Sequence, residues 1–161
     1  MSFSGTSISA AVERVRRALS AFGMQDRVVE LEVSTRTSRE AAAALGCSVA
    51  QIAKCLIFLL GDEPILVIAS GANQVSEDKL RDELGSKVQK ASAEQVREAT
   101  GFAIGGVPPV GHLRPMRTII DRDLLAYDQI WAAGGTPRAV FRLSAQELLE
   151  LTGGQVMDLG E

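Results

Sequence analysis

The sequence predicts a single compact α/β domain in which a mixed, mostly antiparallel central sheet is surrounded by helices. The chain has 161 residues, a length typical of one domain. Segments with helical periodicity and segments with strand periodicity interleave along it. Several predicted strands are joined by turns of hairpin length, which favours a mixed sheet over a purely parallel one. We therefore expect residues 1–161 to form one domain.

The first two elements are an amphipathic helix and a strand. Residues 9–22 carry apolar side chains at three- and four-residue steps, and Gly23 follows as a helix stop. The predicted inward positions of this helix are Val12, Val15, Leu19 and Phe22. Residues 28–33 alternate in polarity and indicate a strand with one solvated face.

Capping signals mark the starts and ends of the later helices. A Ser or Thr followed three residues later by Glu or Gln satisfies free amide groups at a helix start, and a glycine beyond the last turn ends a helix. These signals predict helices that begin after Thr37, Ser48, Ser76, Ser92 and Ser144, and helix ends at Gly46, Gly85, Gly101 and Gly153.

Apolar runs between the helices predict the strands of the sheet. Residues 55–60 are an unbroken apolar run, typical of a strand buried on both faces, and a turn at residues 61–64 joins them to a second buried strand over 65–69. Shorter strands are predicted at residues 88–90, 118–120, 130–132, 139–143 and 156–159, with a short helical turn over 123–127.

Composition excludes several classes of protein. A net charge of −3 argues against a protein that coats long nucleic acid, although it leaves room to bind one short end with a few local cations. The sequence has no apolar run long enough to span a membrane, and its N-terminal segment lacks the apolar core of a signal peptide. We therefore expect a soluble cytoplasmic protein with no membrane or DNA partner. Two cysteines and one histidine build neither a disulfide framework nor a four-ligand zinc site, so we expect no metal and no cofactor.

Lys54 is the first candidate functional residue. It lies between a short helix that begins after Ser48 and the apolar strand that begins at Cys55. A lysine that enters a buried strand either extends its ammonium group to water or meets a fixed partner. The alternative interpretation is a cation at the mouth of a cleft at a strand end, where ligands of α/β folds tend to bind.

A glycine- and proline-rich loop is the strongest local signal. The sequence GGVPPVGH over residues 105–112 contains adjacent glycines, whose amide groups can approach a ligand oxygen closely, and prolines that stiffen the loop. The loop is neither a P-loop nor a GxGxxG motif. A tight connection between strands remains the equal alternative.

Four further side chains carry weaker signals. His112 is the only histidine and lacks evident partners for a triad, so a loop or core role is the more common outcome. Cys55 lies inside an apolar strand, which favours inert packing over a thiolate nucleophile. Arg114 flanks the glycine loop and suits a phosphate, although solvated arginines are commoner. Asp121 suits a cap for the turn that follows it.

The ordered set of these segments resembles the YbaK and prolyl-tRNA-synthetase-associated (ProX-like) editing domain family. The resemblance covers residues 33–159, and it rests on Lys54 between a helix and an apolar strand, on GGVPPVGH, on TIIDRDLL and on IWAAGGTPRAVFRLSAQELLELTGG. It implies a free-standing trans-editing factor that hydrolyses the ester of mischarged tRNA, typically tRNA(Pro) carrying a small amino acid. The partners implied are the acceptor 3′ end of that tRNA and prolyl-tRNA synthetase.

The resemblance also implies which residues form the site. Lys54 matches the residue on which activity in this family depends most, and the glycine loop lines the site, so we expect Lys54, Gly105 and Gly106 to act in catalysis. The expected substrate-binding residues are Thr35, Ala50, Pro109, Gly111, His112, Arg114, Asp121 and Gly134. The chain departs from the alanine-specific branch, which usually has asparagine where Ala50 stands. It also lacks the late histidine that insertion-type editing domains carry near Gly134.

An aminoacyl ester is already reactive, so its hydrolysis needs a held water, a stabilised oxyanion and a positioned ribose and no protein nucleophile. We expect a metal-independent reaction assisted by the free 2′-hydroxyl of the substrate, on alanine, serine, threonine, cysteine or 2-aminobutyrate. The alternative function is a non-catalytic module that binds tRNA or a synthetase.

Overall fold

A computed structural model describes the backbone of residues 5–161 and the side chains from residue 10 onward. The expectation of one domain over residues 1–161 includes residues 1–4, which lie outside the described residues. The described helices are α1 (Gly5–Ser20), α2 (Ser38–Leu45), α3 (Glu77–Leu84), α4 (Ala93–Thr100) and α5 (Ala145–Thr152). The strands are β1 (Val29–Glu30), β2 (Ile52–Leu60), β3 (Glu63–Ser70), β4 (Val88–Lys90), β5 (Thr118–Asp121), β6 (Ile130–Ala133), β7 (Ala139–Leu143) and β8 (Gln155–Met157).

The predicted caps are confirmed and explain where the helices begin and end. The hydroxyls of Thr37, Ser76, Ser92 and Ser144 each accept the amide hydrogen three residues on, at 3.0–3.1 Å. Each cap of this kind stabilises a helix by about 1 kcal/mol. At Ser48 the Gln51 side chain accepts from the Ser48 amide at 3.1 Å, but the segment that follows is a 3₁₀ turn over Val49–Gln51 where an α-helix was predicted.

All the strands belong to one mixed sheet, which confirms the predicted fold class. The order across the sheet is β1-β7-β6-β2-β3-β5-β8. Among the described residues, four strand pairs are antiparallel and three are parallel. The predicted hairpin is the longest pairing, from Ala53 opposite Ser70 to Leu60 opposite Glu63.

The sheet forks along the outer edge of β2. Near the start of the strand, Ile52 and Ala53 pair with β6 in parallel. Near its end, residues 58–60 pair with β4 in the antiparallel sense. The residues between these two pairings have β3 as their only ladder partner, and Ile57 additionally accepts a hydrogen bond from the Ala91 amide at 3.0 Å. The fork therefore opens a gap in the middle of the sheet.

Helices cover both faces of the sheet and leave part of one face bare. On the first face, α1 contributes the fully buried Val12, Val15 and Leu19 to the larger core. On the opposite face, α2 packs on Ile52 and α3 places Leu80 beside Phe58. Successive residues of a strand alternate faces, so Lys54 lies on this second face between the parts that α2 and α3 cover.

Two predictions about the first 33 residues need correction. Phe22 is 47% exposed, because α1 ends at Ser20 and Phe22 lies in the turn after it. The strand predicted over residues 28–33 shortens to Val29–Glu30, and Val33 is 55% exposed. These residues lie at the edge of the sheet, where β7 is the only pairing partner.

Candidate functional site

A cleft of about 510 Å³ lies at the fork in the sheet. Its volume falls in the range of small-molecule sites, which is about 300–1,000 Å³. The wall combines the fork, the start of α2 and the glycine loop, and its residues are Thr35, Arg36, Thr37, Ser38, Ala41, Ile52–Phe58, Gly71, Lys90, Ala91, Val96, Ile104, Gly105, Val107, Trp131–Ala133 and Val140. Most of these residues are apolar, so a ligand would lose water on entering.

Lys54 is one of the charged residues of the cleft wall. The strand begins at Ile52, three residues before the predicted start at Cys55, so Lys54 is its third residue. Its ammonium group is partly buried and donates a 2.6 Å hydrogen bond to the Asn73 carbonyl. Burial lowers the pKa of Lys54, the charge of Lys90 lowers it further, and the Asp121 carboxylate opposes both effects.

The Asn73 carbonyl is held by a polar network behind Lys54. The Asn73 side-chain amide donates to Asp121 and Asp123, each at 2.8 Å. Asp121 is 0% exposed, and its carboxylate also accepts from the Ser70 amide at 3.0 Å and the Asp123 amide at 3.0 Å. A buried carboxylate with several donors holds its neighbours firmly, so this network fixes the acceptor for Lys54.

Two glycines permit the close approaches that shape the cleft. A Cβ atom at Gly71 would lie 2.5 Å from the Val49 carbonyl oxygen and 2.7 Å from the Ser38 Cβ. At Gly105 the backbone has φ +93°, and a Cβ atom would lie 2.5 Å from the Arg36 side chain. Only glycine adopts that backbone region without strain, so Gly105 brings the loop against Arg36 at the cleft wall.

The charged side chains that line the cleft are all cationic. Three side chains in its lining are cationic, Arg36, Lys54 and Lys90, and none of the described lining residues is Asp or Glu. The whole chain carries a net charge of −3. The cleft is therefore a local concentration of positive charge on an acidic protein, an arrangement that favours an anionic ligand.

The two thiols have the properties of packing residues. Cys55 lines the cleft, but burial raises the pKa of its thiol to about 12. Burial also raises the pKa of the Cys47 thiol. A thiol with a raised pKa is protonated at neutral pH and is a poor nucleophile.

The structure brings together three of the sequence-predicted site residues, Lys54, Gly105 and Thr35, all in the cleft wall. The Thr35 hydroxyl donates to the Pro137 carbonyl at 3.0 Å. The predicted residues outside the lining are Gly106, Ala50, Pro109, Gly111, His112, Arg114, Asp121 and Gly134. Of these, Gly106 and Gly134 are chain neighbours of lining residues, and Asp121 is connected to Lys54 through Asn73.

Gly106 is committed to the packing of its own loop. Its amide donates to the Ala103 carbonyl at 3.0 Å. A Cβ atom at this position would lie 2.8 Å from the Thr136 Cα. Gly134 has a similar packing role: a Cβ atom there would lie 2.9 Å from the Val28 side chain.

His112 and Arg114 lie outside this lining. The His112 Nε2 atom lies 2.7 Å from the Pro108 carbonyl, and its ring packs edge-on against Phe102. Burial lowers the pKa of His112, and the hydrogen bond with the Pro108 carbonyl opposes this effect. Arg114 is exposed. The Gly111 carbonyl accepts from the Arg14 side chain at 3.2 Å, which ties the loop to α1.

Sequence reasoning missed four residues of the site, namely Arg36, Gly71, Asn73 and Lys90. The segment SGANQ after the second strand of the hairpin combines small and amide residues, which was a usable signal for Gly71 and Asn73. Nothing local distinguishes Lys90 from the other surface lysines, because its position depends on the pairing of β4 with β2.

Within residues 10–161, no group of three His, Cys, Asp or Glu side chains is arranged to hold a metal ion. None of the helices in the described part of the chain is long and apolar enough to cross a membrane.

A family model described as the aminoacyl-tRNA editing domain matches residues 32–151 of this chain. The match begins just before the Thr35 wall of the cleft and ends within α5, so it includes every residue that lines the cleft.

Similar proteins fall into two groups by length. The chain is 31% identical over 147 residues to the uncharacterized protein YwhH of Bacillus subtilis (strain 168). That alignment covers 91% of this chain and 94% of YwhH. It is 35% identical over 107 residues to the proline–tRNA ligase of Maridesulfovibrio salexigens. That alignment covers 64% of this chain but only 18% of the ligase. A crystal structure described as a candidate trans-editing enzyme for prolyl-tRNA synthetase superposes with a TM-score of 0.89 at 50% identity, over 94% of this chain and 97% of that chain.

Proposed function

This chain belongs to the aminoacyl-tRNA editing domain family, and from that premise we propose that it hydrolyses the ester of mischarged tRNA(Pro) carrying a small amino acid. The enzyme would act in trans, on tRNA released by prolyl-tRNA synthetase, and so protect the fidelity of translation. The similarity to a candidate trans-editing enzyme for that synthetase supports this substrate class.

The observation that carries the proposal is the charge pattern of the cleft. An aminoacyl-tRNA end is a polyanion with an apolar or small side chain at its tip. The described lining offers Arg36, Lys54 and Lys90 with no carboxylate, beside walls of valine, isoleucine and alanine. Cations that are not neutralised by the protein are available to phosphates and to a developing oxyanion.

The proposed reaction is a simple hydrolysis. Water adds to the ester carbonyl carbon, the bond from that carbon to the ribose oxygen breaks, and the amino acid leaves as its carboxylate. The ribose oxygen takes one proton from the water, and the other proton passes to solvent. The free 2′-hydroxyl of the ribose can hold the attacking water, so the protein needs to supply position and charge only.

Lys54 would stabilise the negative charge that develops on the ester. Its ammonium group already has one fixed acceptor in Asn73, and its two remaining N–H groups are available to substrate. Further donors would come from main-chain amides on the outer edge of β2, between its pairings with β6 and β4, and from the amide of Gly105. We assign the loop contribution to Gly105, since the Gly106 amide is held by Ala103.

Shape and polarity of the cleft would select the amino acid. The apolar walls suit alanine and 2-aminobutyrate, and serine, threonine and cysteine are close to them in volume. The Thr35 hydroxyl donates its hydrogen to the Pro137 carbonyl. It therefore has no hydrogen left to donate to a hydroxyl or thiol of the substrate. A synthetase separates side chains differing by one methylene by only about 1–3 kcal/mol, so a second sieve is useful.

The test is a single-turnover comparison of tRNA(Pro) charged with alanine, serine, cysteine, 2-aminobutyrate or proline. We expect fast loss of the ester for the small residues and slow loss for proline. The Lys54→Ala variant is the matched control for nonenzymatic hydrolysis. A parent protein that protects the ester or leaves it unchanged would support the alternative of a non-catalytic binding module, and equal cleavage of prolyl-tRNA(Pro) would leave only a general esterase.

A further inference from the structure

Lys54 on β2 and Lys90 on β4 both line two neighbouring clefts. Lys90 is the last residue of β4 and pairs in register with Phe58, four residues along β2 from Lys54. Residues four apart on a strand share a face, so both lysines lie on the face that α2 and α3 leave bare. Both line the main cleft and also a second, more polar cleft of about 360 Å³ beside α3.

Neither ammonium group forms an ion pair in the described part of the chain. Within residues 10–161, no carboxylate oxygen lies within 4.0 Å of the Nζ atom of Lys54 or Lys90. Lys79, by contrast, pairs with Asp158 at 2.9 Å. The charge of Lys90 is felt at Lys54, where it lowers the pKa after the larger effect of burial. The buried Asp121 carboxylate opposes this effect only in part, so an anion that binds between the two lysines would relieve the remaining repulsion.

Three carboxylates limit where such an anion can lie. Glu77, Asp78 and Glu161 line the polar cleft together with the two lysines. Asp78 is already paired with Arg81 at 3.0 Å. These acids repel a chain of phosphates that continues into the polar cleft, so they restrict binding to a single anionic group at the boundary between the two clefts.

We propose that Lys90, together with Lys54, binds the phosphodiester on the 5′ side of the terminal nucleoside and so sets how far the acceptor end enters the cleft. This inference rests on the proposed function for the identity of the ligand. In the resulting arrangement the phosphate lies at the boundary of the two clefts, and the esterified ribose lies farther into the main cleft. Lys90 then acts as a positioning residue for the ester and takes no part in the bond changes.

The test compares two ligands that differ by one phosphodiester, adenosine and adenosine 5′-(methyl phosphate). Their dissociation constants are measured by calorimetry for the parent, Lys90→Met, Lys90→Arg and Lys87→Met. Lys87 is the matched control, since it is exposed immediately before β4 and lines neither cleft. We expect the parent and Lys87→Met to prefer the phosphate ligand about tenfold, a typical gain for one charge-assisted contact. Lys90→Met should lose this preference and Lys90→Arg should keep most of it.

Two hydrolysis measurements connect the site to turnover. For mischarged tRNA, Lys90→Met should lower kcat/KM and reduce the slope of log kcat/KM against log salt by about 0.7–1, the value for one phosphate contact. Lys87→Met should leave both unchanged. An unchanged phosphate preference in Lys90→Met, or its loss in Arg36→Met instead, overturns the inference. A parent that prefers the phosphate ligand but cleaves no mischarged tRNA refutes the proposed function and leaves the anion site standing.

Discussion

The Lys54 ammonium donates to the main-chain carbonyl of Asn73 across 2.6 Å, and this one contact links the cleft to a buried carboxylate. The carbonyl is fixed because the Asn73 side chain is held by Asp121 and Asp123. A flexible four-carbon side chain is thereby given one preferred direction. The positions of the cation and of the buried acid are coupled even though the two groups do not touch.

Removal of the Lys54 charge should separate activity from stability. We expect Lys54→Ala to remove most deacylation, by at least about 100-fold, because one charged donor to a transition state is worth about 2.7–4 kcal/mol. Lys54→Met should unfold at a temperature equal to or above that of the parent, since a partly buried ammonium group is costly. Thermal unfolding and single-turnover rates check both statements. A Lys54→Ala protein that is unfolded, or fully active, would contradict the assigned role.

Asn73→Ala tests the fixed acceptor. This variant keeps the carbonyl but loses two 2.8 Å hydrogen bonds, and it leaves the buried Asp121 with one donor fewer. We expect a loss of stability of about 1–3 kcal/mol and a lower kcat with a smaller change in KM. Gln89→Ala removes an exposed amide that lines neither cleft, so it is the control and should change neither. An Asn73→Ala enzyme with normal kcat would show that Lys54 finds its orientation without this network.

Gly106→Ala separates packing from catalysis in the glycine loop. The added Cβ would lie 2.8 Å from the main chain of Thr136, which cannot move as a side chain can. We expect a lower unfolding temperature, with a cost of about 1–3 kcal/mol typical of overpacking. The rate per folded molecule should fall less than in Gly105→Ala, because Gly105 lines the cleft. A larger loss of rate in Gly106→Ala than in Gly105→Ala would show that Gly106, and not Gly105, contacts the reacting ester.

The pH dependence of the rate should report Lys54. Burial and Lys90 both lower the pKa of Lys54, so the protonated form is lost at a lower pH than for an exposed lysine. After subtraction of spontaneous ester hydrolysis, the rate should therefore fall on the alkaline side. Lys90→Met removes one of the two causes and should move this fall to higher pH. A shift in the opposite direction would contradict the assignment.

The same shift has a consequence for stability. Between the folded and the unfolded pKa of Lys54, the unfolded chain binds more protons, so stability rises with pH there. The difference in unfolding free energy between the parent and Lys54→Met should accordingly narrow as pH rises through that window. Equilibrium denaturation of both proteins at several pH values measures this difference in unfolding free energy.

Thiol reagents and chelators should leave the activity intact. The pKa of the Cys55 thiol is raised to about 12, so the thiolate population at neutral pH is negligible. Cys55→Ser should cost stability at most and keep the deacylation rate. Loss of activity with EDTA that zinc restores would indicate a metal-dependent mechanism. Rapid inactivation by iodoacetamide in the parent but not in Cys55→Ser would indicate that the Cys55 thiol takes part in the reaction.

The parts of the fold that the sequence predicted well are those determined by neighbouring residues. Helix caps such as Thr37 with Glu40 depend on a three-residue spacing, and the β2–β3 hairpin depends on a single turn. The fork could not be predicted, because β6 and β4 reach the same edge of β2 from distant parts of the chain. The role of Asn73 was hidden for the same reason, since Asp121 lies 48 positions away from it.

The fork also determines when this protein acquires its site during folding. The β2–β3 hairpin is local and can form early, whereas the cleft needs β4, β6 and the glycine loop to reach β2, and closure of such distant contacts is slow. A nascent chain that has emerged only through its hairpin therefore holds Lys54 but no cleft around it. Recovery of activity on refolding should follow the slowest phase, well after the first secondary structure. Under the proposed function, the chain would hydrolyse no mischarged tRNA until β6 and β7 are in place.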